Sequence, residues 1–261
     1  MKLAFSTLGC PDWSFDQILH AARQTGFAVE LRGIGDALRA DTVPALQPSS
    51  RADTMRRLRA AAVTLCGIDC SARLGEPDVR ADALAECTFA LDAAAALGAR
   101  FIRVFGDRIV GDPAEKLADL ADVLQTVCAY AAPRGVSVLL ETHGDYVAPA
   151  QLRALALRVN RPAFGLIWDV EHTDTADAGR RAAFLDVLYP WIRHVHLKDC
   201  RDGRLCRVGT GTLPLADLCR SLMRRGYDGY FSLEWEKRWH PELPDPDVAL
   251  ADFARFAAQF D

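Results

Sequence analysis

Between Ile192 and Cys200 the chain reads IRHVHLKDC, which sets His194, His196 and Lys198 at alternate positions. Alternate residues of an extended segment share a face, so a strand here turns two imidazoles and an ammonium to one side. Carboxylates stand in comparable places: Glu141 in VLLETHG, Asp169 in LIWDVEHT, and Glu234 and Glu236 in SLEWEK. Glu141, Asp169, one of the paired histidines and Glu234 make three carboxylates and one imidazole. That donor set suits one hard or borderline divalent cation, Mn²⁺, Mg²⁺ or Co²⁺, with Zn²⁺ also tolerated, better than it suits a thiolate-rich structural zinc site. Taken singly, an acidic residue at the end of a strand is as well explained as a helix cap or an arginine partner. Four such groups in compatible chemistry outweigh that explanation.

The elements that must position them alternate along the whole chain. Short β-rich runs (LAFST, AVELRG, VTLCGID, FIRVFGD, VSVLLETH, FGLIWDV, IRHVHLKD and YFSLEWE) are separated by Ala/Leu/Arg-rich segments with helical spacing. Two helices are plainest, one from Pro77 to the neighbourhood of Gly98 and one running to Pro133 and Gly135. Glycine-bearing junctions at Gly26, Gly98, Gly135 and Gly226 hand helices over to strands. Eight βα units in 261 residues predict an α/β fold of the (β/α)8 TIM-barrel type, a single domain over residues 1–261. The rival, a doubly wound open sheet, lacks its glycine fingerprint after the first strand. In a barrel the chemistry lies at the C-terminal strand ends, where Glu30, Arg32, Arg103, Asp107, Glu141, His143, Asp169, His172, the paired histidines, Lys198, Glu234 and Glu236 all fall.

Composition narrows the function. Half the residues are hydrophobic, a quarter are charged and the formal net charge is -4, with no basic run, so nucleic acid is not an expected partner. No apolar stretch is long enough to span a bilayer, and MKLAFSTLGCPDW reaches Pro11 before a secretory core forms. Eight scattered cysteines without a C-x-x-C pair read as thiols of a reducing compartment, and the expectation is a cytoplasmic protein without a membrane partner. A homo-oligomer is compatible with this reading.

The runs LLETHGDY, GLIWDVEHT, IRHVHLKD and YDGYFSLEWEKRW, in that order, resemble the sugar phosphate isomerase/epimerase family. These are xylose isomerase-like barrels that include ketose 3-epimerases, inosose dehydratases and endonuclease IV. The resemblance extends from the first strand to WHPEL. It implies that Glu141, Asp169, His196 and Glu234 are the metal ligands, that His172 contacts substrate, and that Glu141 and Glu234 exchange protons on opposite faces of a sugar or polyol. On the same strand face His194 then falls one layer deeper, where it orients a ligand or carboxylate, and Lys198 one step nearer the mouth, facing substrate. Arg103 and Lys198 add positive charge for a phosphate or carboxylate, Glu236 lies within reach of substrate, and Trp13 and Trp239, in loop contexts, are candidate apolar walls.

The expected activity is therefore metal-dependent isomerisation or epimerisation of a small sugar, sugar phosphate or keto-polyol by proton abstraction next to a carbonyl. Where the family's ketose 3-epimerases carry a second glutamate and an arginine, this chain has Val147 and Asp202, which keeps a keto-inositol dehydratase in play, with Arg201 or Arg204 as substitute cations. A non-catalytic sugar-binding protein would tolerate loss of a ligand, and all four are present. An endonuclease would need histidines where the chain has Cys66, Asp69 and Arg103. An aldolase using Lys198 would leave the carboxylates without a role.

Overall fold

The computed structural model describes residues 1–174 and 180–260. Its strands, in chain order, are β1 (Lys2–Ser6), β2 (Ala28–Leu31), β3 (Leu65–Arg73), β4 (Phe101–Phe105), β5 (Ser137–Glu141), β6 (Phe164–Asp169), β7 (Ile192–Leu197), β8 (Asp199–Arg201), β9 (Arg204–Cys206) and β10 (Tyr230–Leu233). Strands β1 to β7 and β10 close into a barrel in sequence order, every neighbouring pair parallel, and β10 returns to β1. Each of the eight runs read from the sequence supplies one barrel strand. The surrounding helices are α1 (Phe15–Thr25), α2 (Arg51–Ala61), α3 (Arg80–Leu97), α4 (Pro113–Ala131), α5 (Pro149–Val159), α6 (Val170–Asp174), α7 (Arg180–Leu188), α8 (Leu215–Arg224) and α9 (Pro246–Ala257). No helix among the described residues is long and apolar enough to cross a membrane.

Helix ends follow from their residues. Ser14 and Gln17 form a reciprocal capping box at the start of α1. The Asp112 side chain accepts from the backbone N–H groups of Ala114 and Glu115, with Pro113 in the first turn of α4. Gly26 and Gly98 end α1 and α3 at φ 71° and 74°, left-handed values that cost a residue without a Cβ little.

Strand alternation divides the core. Ile102 and Val104, Val138 and Leu140, and Leu166 and Trp168 point outward and join the large cluster under the helices. Phe101, Leu139 and Ile167 point inward and plug the barrel low down, as a separate apolar cluster. The Phe101 ring lies over Gly67, where a Cβ would come within 2.2 Å of it. Above this plug the inward positions are polar: Glu30, Asp69, Arg103, Glu141, Asp169, His194, His196 and Ser232 are all buried. The barrel is thus apolar at its floor and ionic toward its C-terminal mouth.

One element was not legible in the sequence. Just past β7 the chain forms the antiparallel hairpin β8–β9. Asp199 anchors it, accepting backbone N–H bonds from Cys200 (3.0 Å), Gly209 (2.9 Å), Gly211 (2.8 Å) and Leu213 (3.3 Å).

Candidate metal centre

Register brings the donors together. Asp169 on β6 pairs with His196 on β7, and His196 pairs with Ser232 on β10, so Glu234 stands just above that level. Glu141 closes the group from the end of β5. One atom from each of Glu141, Asp169, His196 and Glu234 lies within 4.8 Å of the others, and all four residues are buried, so they could hold one metal ion. His196 Nδ1 is 3.4 Å from Glu234 Oε2, 3.8 Å from Glu141 Oε2 and 3.9 Å from Asp169 Oδ2. Two of the three distances exceed hydrogen-bond contact, and His196 Nδ1 is buried without a hydrogen-bond partner among the described residues. An unpartnered imidazole nitrogen facing three carboxylates fits a cation between them.

Asp169 combines two roles that the sequence offered as alternatives. Its Oδ1 accepts from the backbone N–H groups of Glu171 (2.9 Å) and His172 (3.2 Å), capping the first turn of α6, while Oδ2 faces the site. Thr142 fixes the strand end by accepting the Asp169 N–H at 2.9 Å. Burial pushes the Asp169 carboxyl above its ordinary range although Lys198 and His172 pull it down, and the charges of Glu234 and Glu141 add to the rise. Crowded carboxylates of this kind gain from added positive charge.

Two cations border the cluster. The Lys198 ammonium, 1% exposed, lies 2.9 Å from Asp169 Oδ2, 2.7 Å from Glu234 Oε2 and 2.5 Å from Glu236 Oε1. Burial disfavours its charge, but the three carboxylates outweigh burial and hold its pKa well above the usual lysine value. Arg103 donates to Glu141 Oε2 at 2.6 Å and stacks its guanidinium 4.1 Å over the Phe105 ring. Glu141 stays below its ordinary pKa: burial opposes this, and Arg103 is the main counterweight. Glu234 is driven well below its range, against burial, by His196 and Lys198.

Beneath the cluster lies Glu30. It is fully buried and accepts from His194 Nε2 at 3.0 Å, His196 Nε2 at 2.9 Å and the Ser232 hydroxyl at 2.5 Å. Both histidines hold this carboxyl well below its ordinary pKa despite complete burial. Sequence reading placed Glu30 at a strand end without giving it a role. The signal was a lone carboxylate inside the apolar run AVEL.

Toward the mouth, His172 is partly exposed with Nε2 4.0 Å from Asp169 Oδ2. Its ring meets that of His143 at 4.6 Å, and His143 meets Phe105 at 4.9 Å. These three rings form one wall, in which His143, placed by the sequence at a strand end without a role, takes the middle position. Trp13, in the loop just before Ser14, the cap of α1, lines a groove between α1 and α9 with His20, Gln24 and Leu250. Trp239 is half exposed.

A closed parallel barrel with buried carboxylates and an imidazole gathered at its C-terminal mouth defines a class of barrels with a polar centre at that face. A family model described as "Xylose isomerase-like TIM barrel" matches residues 19–258, and the chain belongs to that family. Among relatives, the fructoselysine 3-epimerase of Escherichia coli O157:H7 is 27% identical over 171 residues, 62% of this chain and 62% of that protein. The match thus spans less than two thirds of the relative's length. Among solved structures, a probable 3-DHS dehydratase from Bacillus anthracis superposes with a TM-score of 0.78 at 17% identity, covering 99% of both chains. The IolI protein, solved with a zinc atom bound, gives a TM-score of 0.79 at 16% identity over 99% of this chain and 96% of that one. At such identities the two structures establish the shared fold.

Proposed function

We propose that this chain is a divalent-metal-dependent isomerase or epimerase of an uncharged keto-sugar or keto-polyol. The observation that carries the proposal is the convergence of Glu141, Asp169, His196 and Glu234, all buried, within 4.8 Å. The zinc atom in IolI and the 3-epimerase activity named for the Escherichia coli relative support it. When bound, a divalent cation supplies positive charge beside a substrate carbonyl and lowers the barrier to removing the adjacent proton. Arg103 holds the Glu141 carboxyl, and His196 with Lys198 the Glu234 carboxyl, below the ordinary range, which favours the ionised form a proton acceptor needs. Glu141 and Glu234 reach the centre from β5 and β10, and each serves one face of the substrate. The ring wall of Phe105, His143 and His172 narrows the approach, with His172 nearest the substrate.

The preference for an uncharged substrate follows from Lys198. An ammonium has three N–H donors, and three carboxylates already surround this one. Arg103 donates to Glu141 through one nitrogen and lies buried against it. The role of Lys198 is then to balance the ligands' charge, and the case for an uncharged substrate rests on that lysine alone. Val147 and Asp202, which depart from the ketose 3-epimerase pattern, favour a second reading in which proton removal is followed by loss of a β-hydroxyl.

Turnover in D₂O tests both. An isomerase or epimerase should place deuterium on the carbon next to the carbonyl, and a dehydratase should release an unsaturated product. Glu141→Gln and Glu234→Gln should each abolish conversion while one retains exchange on the face it still serves. Measured conversion of ketoses or keto-inositols by fully metal-free protein would overturn the proposal.

A further inference from the structure

Glu30 lies below the four donors, and its two oxygens bond the two imidazoles of β7. A carboxylate has only lone pairs to offer, so every partner must donate to it. Oε1 therefore takes the Nε2–H of His196, and Oε2 takes the Nε2–H of His194 together with the Ser232 hydroxyl. A neutral imidazole with its proton on Nε2 has its lone pair on Nδ1. In His196 that atom faces Glu141, Asp169 and Glu234. The two rings stand nearly perpendicular, 88° apart with centroids at 5.4 Å, and Phe101 packs against His194 at 4.7 Å, which limits reorientation of the pair. His194 reaches no ligand, and its part is to share and align Glu30.

From this we infer that Glu30 is a positioning residue that locks His196 in the tautomer able to ligate a metal through Nδ1. The inference rests on the metal part of the proposed function. It adds a requirement that the four donors alone do not impose: the carboxylate buried below them must accept from both imidazoles at once.

Glu30→Gln separates this role from simple filling of space. Glutamine keeps one accepting oxygen and replaces the other with an NH₂, so it accepts from one imidazole and must donate to the other. Protein labelled with ¹⁵N-histidine and loaded with Zn²⁺ reports ring protonation by long-range ¹⁵N–¹H correlation. The wild type should show Nε2–H on both His194 and His196, with His196 Nδ1 bound to metal. Glu30→Gln should change the proton position on one ring and weaken Zn²⁺ binding, measured by chelator competition, by about 10- to 100-fold. Ser232→Ala removes one bond to Oε2 and neither imidazole, so it should retain the wild-type ring pattern.

Wild-type His196 bound through Nε2, or a Glu30→Gln protein with unchanged rings and unchanged affinity, would overturn the inference. If Glu30→Gln does not fold, the wild-type ring pattern decides the question. A wild type that takes up no Zn²⁺ removes the metal reading and this inference together, whereas Zn²⁺ uptake with the wrong ring pattern removes only the role of Glu30.

Discussion

His194 and His196 share a strand face and a carboxylate partner, yet truncation should separate them. His196→Ala deletes a donor of the candidate metal centre and should remove most metal affinity. His194→Ala acts through Glu30 and should cost about 10- to 100-fold. Chelator competition on both variants checks this, and equal losses would mean that the two rings do equivalent work. Lys198 allows a second prediction. Lys198→Met keeps the stem and removes the charge, leaving Asp169, Glu234 and Glu236 without their shared cation. Removing one member of a buried ionic group costs about 3–5 kcal/mol, so the metal-free variant should lose that much in denaturant unfolding, and added Mn²⁺ should restore part of it. A loss below about 1 kcal/mol would place Lys198 outside the charge balance. What the sequence made legible here was residue type and strand phase: H-x-H-x-K on one face follows from alternation alone. What it could not supply was commitment. Lys198 and Arg103 read as free cations until their carboxylate partners, distant in the chain, were located, and Glu30 has its partners 164 and 166 residues away.

Elements were read more completely than their trimmings. All eight barrel strands carry a period-two or continuous apolar signal, and the glycine junctions mark where helices stop. The hairpin β8–β9 gives no such signal, because three-residue strands are too short to show a pattern; its stability comes from Asp199 gathering four backbone N–H groups. Trp13 is a loop residue in the fold as in the sequence, and its neighbour in the groove, Leu250 of α9, lies near the far end of the chain, beyond any local pattern. Between helices, Asp92 of α3 accepts from Arg134 Nε at 2.7 Å and from the Tyr130 hydroxyl at 3.1 Å. Its carboxyl lies below the ordinary range because these partners outweigh its burial. A depressed folded pKa contributes stability above the unfolded value, about 3.9, and loses it as pH falls through the folded value. The groups are half-buried and still screened by solvent, so Asp92→Asn should cost only about 0.2–1 kcal/mol at pH 7. The difference from wild type should vanish in acid, below the folded pKa, and a gap that persists there would assign the effect to packing instead.

At the scale of the whole molecule, barrel closure and the ionic centre are coupled. Closing the strands seals Glu141, Asp169 and Glu234 in a buried space where Arg103 and Lys198 are the adjoining cations, above the Glu30–His194–Ser232 layer and the apolar floor under it. The unfolded chain disperses the same carboxylates into water and has no site that gathers them. A divalent cation should therefore bind the folded state alone and raise its stability by mass action, by about 2.7 kcal/mol at a hundredfold excess over Kd. For a chain of this size that corresponds to a rise in Tm of roughly 5–10 °C. Melting curves of chelator-treated protein with and without added Mn²⁺, Mg²⁺, Co²⁺ or Zn²⁺ measure it directly. His196→Ala should melt at nearly the same temperature with and without metal, whereas Trp239→Ala, on the half-exposed segment after β10, should keep the full increment. The contrast between these variants distinguishes the four-donor centre from metal taken up at surface carboxylates. If none of the four ions shifts the wild-type melting temperature at millimolar concentration, the buried donors are a purely internal ionic network, balanced by Arg103 and Lys198, and the metal-dependent chemistry fails with them.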